Sequence, residues 1–348
     1  MYKETAKEVL DFIQKSPSCF HAIQEIGRQL RENGFEELRE TDRWSIKKGG
    51  SYFTTRNGSS LIAFRVGKIL DDYHFQVTSS HCDSPTFKVK EKAELKGKGG
   101  YLQLNTEGYG GMICSSWMDR PLSLAGRVLV REGNTVTSRL VAFGRDLLII
   151  PNVAIHMNRN VNDGFAFNKQ VDMLPLFSAG ECGEDSYREL IAQELGVDPQ
   201  SILGMDMYLY NRTAPSIWGA KKEFISSPKL DDLQCACTSL KAMIQAENDR
   251  CVTVYACFDN EEVGSGTKQG ASSTFLRDVL QRINDGLGFD GEDYRRAVAG
   301  SFMVSCDNAH AVHPNHPEKT DAENCTWMNK GIVIKFSANQ KYTTDGIS

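Results

Sequence analysis

The sequence predicts an α/β protein whose core is a largely parallel sheet, interrupted by an inserted β-rich domain. Three observations support this fold class. Helical and strand-like apolar patterns alternate at both ends of the chain, the stretch from 90 to 221 changes to strand alternation with many glycines, and the helix and strand rhythm then resumes. The 348 residues also exceed the usual size of one domain. We therefore predict catalytic segments at 1–89 and 222–348, separated by an insertion at 90–221.

The N-terminal segment predicts two amphipathic helices, a hairpin and a strand. A break at Ser16-Pro17 separates two runs with apolar residues at helical spacing, and Asn57-Gly58 between β-rich runs is a strong hairpin signal. The next strand, 74–80, leads directly into His81. The apolar helical positions are Val9, Leu10, Phe12 and Ile13, then Phe20, Ile23, Ile26 and Leu30.

The rest of the chain is predicted from the same patterns. The insertion shows strand alternation and one acidic helical stretch, and the later part alternates between helices and strands, which implies parallel pairing. Within the insertion the predicted strands are 102–105, 122–130 and 139–143, and the predicted helix is 180–195. After it we predict helices at 230–247 and 273–285 and strands at 252–258, 297–305 and 331–336.

Composition limits the class of partner. The chain is 40% hydrophobic and 24% charged, and its net charge of −5 provides no broad basic surface for nucleic acid or membrane. The charged N-terminus lacks an apolar run, so we expect neither a signal peptide nor a membrane span and predict a cytoplasmic protein. Ten scattered cysteines without a CxxC motif are interpreted as buried free thiols.

Candidate functional residues follow the predicted strands. His81 and Asp83 come after one strand, Glu261 and Glu262 after another, and Asp307 after a third. Ligands of open α/β sheets bind at the carboxyl ends of the strands, so we expect these groups to converge there. An imidazole with several carboxylates suits zinc, manganese or cobalt.

Asp231 is placed at the same edge if the insertion returns the chain there. The pair Asp231-Asp232 also has a plainer interpretation, as negative charge at the start of a helix. Asp83 suits a partner that orients the His81 imidazole. Adjacent Glu261 and Glu262 can divide two tasks, one binding a metal and the other accepting a proton from water.

The glycine-rich stretch 264–270 (GSGTKQG) resembles a phosphate loop at first sight. It matches neither GxGxxG nor GxxxxGKS, and the acidic pair Glu261-Glu262 just before it would repel phosphate. We interpret these glycines as a tight connection beside a metal site.

The ordered motifs resemble those of the aspartyl aminopeptidase family of dinuclear zinc metallopeptidases, over essentially the whole chain. The catalytic-domain motifs are 80–85 (SHCDSP), 227–233 (SPKLDDL), 259–265 (DNEEVGS) and 307–315 (DNAHAVHPN). The insertion motifs are 109–111 (YGG), 116–127 (SWMDRPLSLAGR) and 153–160 (VAIHMNRN). The resemblance implies a zinc-exopeptidase catalytic domain and an insertion that serves as a dimerisation domain.

The resemblance also implies site residues. Asp231 would bridge two metal ions, which would be zinc, with manganese or cobalt as alternatives. His81 and Asp307 would complete one site, Glu262 would serve the other, and Glu261 would be the general base. The implied substrate-binding residues are Lys335, Tyr342 and a neighbouring protomer's His156, which would also take part in catalysis.

The implied activity is release of single N-terminal residues, Asp or Glu first and neutral residues second, by dimer-based homo-oligomers that are typically dodecamers. Family members continue for several dozen residues past the position of Ser348 and supply a late histidine to the Glu262 metal. The resemblance therefore implies a C-terminally incomplete member. The alternatives are a truncated assembly or binding subunit without turnover, and a related amidohydrolase or carboxypeptidase, which the insertion motifs disfavour.

Overall fold

The computed structural model describes residues 2–336, and Tyr342 lies outside them. Within these residues the regular structure comprises six α-helices and fourteen strands. The helices are α1 (Tyr2–Gln14), α2 (Cys19–Glu32), α3 (Ser186–Leu195), α4 (Leu230–Gln245), α5 (Phe275–Gly286) and α6 (Gly291–Ala299). The strands are β1 (Glu36–Glu37), β2 (Ser51–Arg56), β3 (Ser60–Val66), β4 (Phe75–His81), β5 (Thr86–Lys96), β6 (Leu102–Tyr109), β7 (Leu122–Glu132), β8 (Thr135–Ala142), β9 (Leu176–Ser178), β10 (Ile202–Asn211), β11 (Ser216–Trp218), β12 (Phe224–Ser226), β13 (Val252–Phe258) and β14 (Phe302–Ser305).

The first sheet has the order β1-β2-β3-β13-β4-β14. Strand β4 pairs in parallel with both β13 and β14, whereas β3 pairs antiparallel with β2 and β13. The predicted hairpin is confirmed, since β2 and β3 flank Asn57 and Gly58, whose φ angles of 59° and 65° suit a tight turn. The sheet is therefore mixed: β1 pairs in parallel with β2 at one edge, and the parallel strands β4 and β13 lead to the candidate site.

Helices cover both faces of this first sheet. The apolar residues of α1, α2 and α4 pack with Phe53, Leu61 and Tyr255 on one face. The apolar residues of α5 pack with Phe64 and Val254 on the other. Because β13 is buried on both faces, its sequence VTVYACF is apolar nearly throughout rather than alternating.

The second sheet is antiparallel, with the order β8-β7-β10-β5-β6-β9. Its core packs against α3 through Tyr187, Ile191 and Ala192. Both sheets lie in one compact unit, Met1–Cys306, and the residues from Asp307 onward form a second unit that is described by itself. The mixed α/β class with a separate antiparallel sheet is confirmed, while the boundaries of the insertion at 90 and 221 stay a prediction.

Three sequence predictions need correction. The segment 297–305 is not one strand, because a capping box at Asp290 starts α6, which runs to Ala299 before β14 begins. The predicted helix 180–195 begins only at Ser186, since Gly180 has a φ of +109° and Asp185, directly before the helix, has a left-handed φ of 64°. Residues 331–336 have a strand-like sequence but form no regular structure.

The cysteine prediction is correct in one respect and wrong in another. All ten thiols are free, but only Cys82, Cys251 and Cys257 are buried, and Cys182 is exposed. Among the helices of residues 2–336, none combines the length and apolar content required to cross a bilayer.

Candidate metal centre

The site lies where β4 and β13 end side by side. These strands run parallel with His81 opposite Phe258, so the residues that follow them leave the sheet at the same edge. Helix α4 begins nearby and brings Asp231 and Asp232 to His81. The predicted convergence of His81, Asp231 and the 259–262 segment is present.

His81, Asp231 and Asp232 form a cluster able to hold a cation. Each offers a ligand atom, and these atoms lie within 4.8 Å of one another. The Nε2 atom of His81 is 3.4 Å from Oδ1 of Asp231, which is exposed. Oδ2 of buried Asp232 accepts the His81 backbone N–H at 3.0 Å. The imidazole and carboxylate donors fit zinc chemistry.

The sequence did not single out Asp232, since adjacent aspartates at a helix start have the plainer interpretation of complementing the dipole. Its complete burial was the missing information. A fully buried carboxylate requires polar partners, and here it orients the backbone of a candidate ligand.

His81 lies in a strongly negative environment. Burial lowers the pKa of His81, but the carboxylates of Asp231 and Asp83 outweigh burial and raise it to about 11. The same negative potential would attract a metal ion.

Asp83 organises the segment that carries the two glutamates. Its Oδ2 accepts hydrogen bonds from the Tyr109 hydroxyl at 2.6 Å and the Glu262 N–H at 3.1 Å, and its Oδ1 accepts the Glu261 N–H at 3.2 Å. Oδ1 also lies 3.3 Å from Nδ1 of His81. Burial raises the pKa of Asp83, but His81 and Tyr109 outweigh it and hold the pKa below its usual value. Asp83 therefore joins the His81 side chain to the glutamate backbone.

The two glutamates have different environments on one short helical turn after β13, Glu261–Val263. Glu261 is half-exposed, and its Oε2 is 3.9 Å from Nε2 of His81. Glu262 is more buried, and burial together with the charge of Asp83 raises its pKa to about 7 despite the opposing effect of His81. The division of tasks between Glu261 and Glu262 stays a prediction.

The glycine-rich stretch forms a compact turn behind the acidic pair. Gly264 has a φ of +93°, and a Cβ on Gly270 would lie 2.4 Å from the backbone oxygen of Ser265. Gln269 donates to Asn260 at 2.8 Å and to Asp259 at 3.3 Å. These glycines permit close backbone packing beside the site.

The remaining predicted residues come from other segments of the chain. His156 is exposed in the segment between β8 and β9. In the second unit, Nζ of Lys335 is 3.9 Å from Oδ2 of Asp307, and both side chains are partly exposed. The roles of His156, Lys335, Asp307 and Tyr342 stay predictions.

The fold and the cluster define a class: an α/β metallohydrolase with an imidazole and carboxylate centre at the carboxyl edge of its sheet. Comparison with known proteins narrows this class. The profile of the family described as "Aminopeptidase I zinc metalloprotease (M18)" matches residues 12–348. A "Probable M18 family aminopeptidase 2" of Clostridium acetobutylicum is 47% identical over 351 residues, which cover 99% of this chain and 81% of the relative. The corresponding Pseudomonas aeruginosa (strain UCBPP-PA14) protein is 39% identical, with 99% of this chain and 80% of the relative covered.

Solved structures agree with the sequence comparisons. The chain matches "Cryo-EM structure of the Ape4 and Nbr1 complex" with a TM-score of 0.94 and 38% identity, covering 99% of this chain and 70% of that one. It matches "Structure of S. cerevesiae mApe1 dodecamer" with a TM-score of 0.82 and 26% identity, covering 94% and 76%. The chain belongs to the peptidase M18 family of zinc aminopeptidases. The predicted family resemblance, the enzyme class and the zinc-type cofactor are confirmed.

Proposed function

We propose that this protein releases single residues from the free N-terminus of peptides, with two divalent ions activating water and N-terminal Asp or Glu preferred. The observation that carries this proposal is the juxtaposition of the cation cluster at His81 and Asp231 with the half-exposed carboxylate of Glu261. A half-exposed base beside a metal-binding cluster is an arrangement suited to hydrolysis of an amide.

The protein's own donors would hold the ions. His81 and Asp307 would bind one ion, Glu262 would bind the other, and Asp231 would bridge them. When bound, the ions supply Lewis acidity for hydrolysis of the amide bond. Asp83 would keep the imidazole of His81 in one tautomer and orientation, which is the usual task of a carboxylate behind a histidine ligand.

Glu261 would move the proton. Its carboxylate accepts a proton from the attacking water and delivers it to the leaving amine, so the same group acts first as base and then as acid. Its side chain is 51% exposed, which leaves it accessible to water and substrate, while its backbone N–H is held by Asp83. A backbone held in place beneath a solvent-accessible carboxylate suits a proton carrier.

Substrate selection would depend on charge. Carboxylates of the centre would bind the free α-amine, which an internal peptide bond lacks. Lys335 would attract an acidic first side chain, and its partly exposed ammonium group is suited to this. Tyr342 and a neighbouring protomer's His156 would complete the pocket, so we also infer that neutral first residues are accepted more weakly.

The active form would be a dimer-based homo-oligomer, with a dodecamer as the expected particle. A similar solved structure is described as a dodecamer. The segment that holds His156 also exposes Val153, Ile155 and Met157, at 52%, 47% and 77%. We infer that the insertion at 90–221 is the dimerisation domain. Mass photometry should find a particle of about twelve chains, and a monomer at working concentration would contradict the assembly.

Replacement of Glu261 tests the reaction. Glu261→Gln in the full-length protein removes the proton acceptor and keeps the size of the side chain, so kcat for aspartyl anilide should fall by about 10²–10⁴-fold with little change in metal content. Glu292→Gln, at an exposed site on α6, is the matched control and should keep wild-type kcat.

Anilides of Asp, Glu, Leu and Lys measure substrate preference in the same assay. We expect the order Asp and Glu, then Leu, then Lys. Full activity of Glu261→Gln would refute the proton-carrier assignment. One bound zinc ion or none, together with absence of turnover in the wild-type protein, would favour the assembly-subunit alternative.

A further inference from the structure

Tyr109 connects the second sheet to the candidate metal centre. It is the last residue of β6, whereas Asp83 lies just beyond β4 of the first sheet. The Tyr109 hydroxyl donates to Oδ2 of Asp83 at 2.6 Å and accepts from Nδ2 of Asn260 at 2.9 Å. A single hydroxyl thus joins the carboxylate behind His81 to the residue that precedes Glu261.

Neighbouring groups fix the direction of these hydrogen bonds. The Asn260 side-chain oxygen accepts from Thr267 and from Gln269, both at 2.8 Å, so its NH₂ group faces Tyr109. The Tyr109 hydroxyl must accept from that NH₂, and its own proton is then directed to Asp83. Burial, reinforced by the Asp83 charge, raises the pKa of Tyr109, which keeps the hydroxyl protonated.

The backbone beside Tyr109 also packs on the site. Gly110 has a φ of +73°, and a Cβ there would lie 3.0 Å from Cβ of Glu262 and 3.2 Å from its Oε2. On its other side the Tyr109 ring meets Tyr208 of β10 edge-on, with centroids 5.9 Å apart. Packing within the second sheet therefore fixes the position of the Tyr109 hydroxyl.

We propose that Tyr109 is a positioning residue, which orients the Asp83 carboxylate and through it the backbone of Glu261 and Glu262. This inference rests on the proposed function of the two glutamates. Besides Nδ1 of His81 at 3.3 Å, the Asp83 carboxylate has three donors, of which two are the glutamate amides and the third is Tyr109. Without the hydrogen bond from Tyr109 the Asp83 carboxylate can rotate, and the hydrogen bonds that it accepts from the Glu261 and Glu262 amides are then distorted.

The test compares Tyr109→Phe with Tyr208→Phe in the full-length protein. Each variant removes one hydroxyl oxygen from a half-buried ring of the second sheet, but only Tyr109 hydrogen-bonds to Asp83. For Tyr109→Phe we expect kcat to fall about 10- to 100-fold with KM within about twofold, because a hydrogen bond to a buried charge is lost. Tyr208→Phe should keep wild-type kcat.

A second measurement is independent of activity. Hydrogen–deuterium exchange of the metal-free protein over residues 259–264 should be faster in Tyr109→Phe, since the amides of Glu261 and Glu262 are the reporters. In an Asp83→Asn background, Tyr109→Phe should add little further acceleration, because both changes affect one carboxylate.

The outcomes separate this inference from the proposed function. Unchanged exchange and kcat in Tyr109→Phe would overturn the positioning role, as would equal acceleration in the wild-type and Asp83→Asn backgrounds. If the wild-type protein has no peptidase activity but Tyr109→Phe still exchanges faster than wild type, the positioning role is supported and the proposed function is refuted.

Discussion

Arg127 on β7 ties the two sheets together, and its replacement by methionine is a quantitative test of that connection. Its guanidinium donates to Oδ2 of Asp206 at 2.8 Å and to the backbone oxygen of Asn57, in the first-sheet hairpin, at 2.5 Å. It also lies 4.3 Å from the ring centroid of Phe20 on α2. The side chain is only 17% exposed, so water cannot easily replace these partners.

The expected loss of stability is worked from these contacts. Two hydrogen bonds of a charged group contribute about 1.5–3 kcal/mol each. Part of this loss is offset, because the variant no longer buries a charged guanidinium and because methionine still contacts Phe20. Lys88 still pairs with Asp206 at 3.0 Å. We expect Arg127→Met to lower the free energy of unfolding by about 3 kcal/mol.

Urea unfolding followed by circular dichroism measures this loss. For 348 residues the entropy of unfolding is about 0.7 kcal/mol/K, so the melting temperature should fall by about 4 °C. The control is Arg131→Met, four residues along the same strand and exposed, which should change the free energy by less than about 0.5 kcal/mol. Equal stability of the two variants would refute the reasoning.

Three further predictions concern pH, packing and metal. Burial, with a nearby lysine, lowers the pKa of His21 from 6.5 to about 4. The contribution of neutral His21 to the free energy of unfolding is therefore fully present above pH 6.5 and is lost as the pH falls towards 4. His21→Gln should remove up to about 3 kcal/mol of that dependence in urea titrations between those pH values. A Cβ on Gly126 would lie 2.0 Å from a backbone oxygen of β10, so Gly126→Ala should lower the urea midpoint, whereas Gly144→Ala, with open space, should not. Asp231→Ala should lose its metal by elemental analysis, and EDTA should abolish wild-type activity until zinc is restored. Glu261→Gln should retain its metal.

Sequence patterns predicted the elements of the fold that depend on interactions between residues close in sequence. The two N-terminal helices, the turn at Asn57-Gly58 and the buried strand β13 each depend on side chains close in sequence. The strand order did not follow from them, because residues of β3 pair with residues of β13 that lie 186 to 196 positions later in the sequence. The boundary between α6 and β14 was missed since the cap at Asp290 competes with a β-like sequence.

The site was predictable to a similar degree. His81, Asp83 and Glu261 were identified because each follows a strand and carries suitable chemistry. Tyr109 was not assigned a role, since its contact with Asp83 depends on how two sheets meet and not on spacing along the chain. The YGG motif was recognised in the sequence, but a role for the Tyr109 hydroxyl follows only from its hydrogen bond to Asp83.

Because β4 and β13 pair in one parallel register, binding of a metal ion depends on the correct pairing of these two strands. His81 lies opposite Phe258, and each preceding residue of β4 has its own partner on β13. A slip of one residue would move His81 by about 3.3 Å and turn its imidazole to the opposite face, away from Asp231. A misfolded chain would therefore be unable to assemble the cluster, and zinc would stabilise the native register selectively.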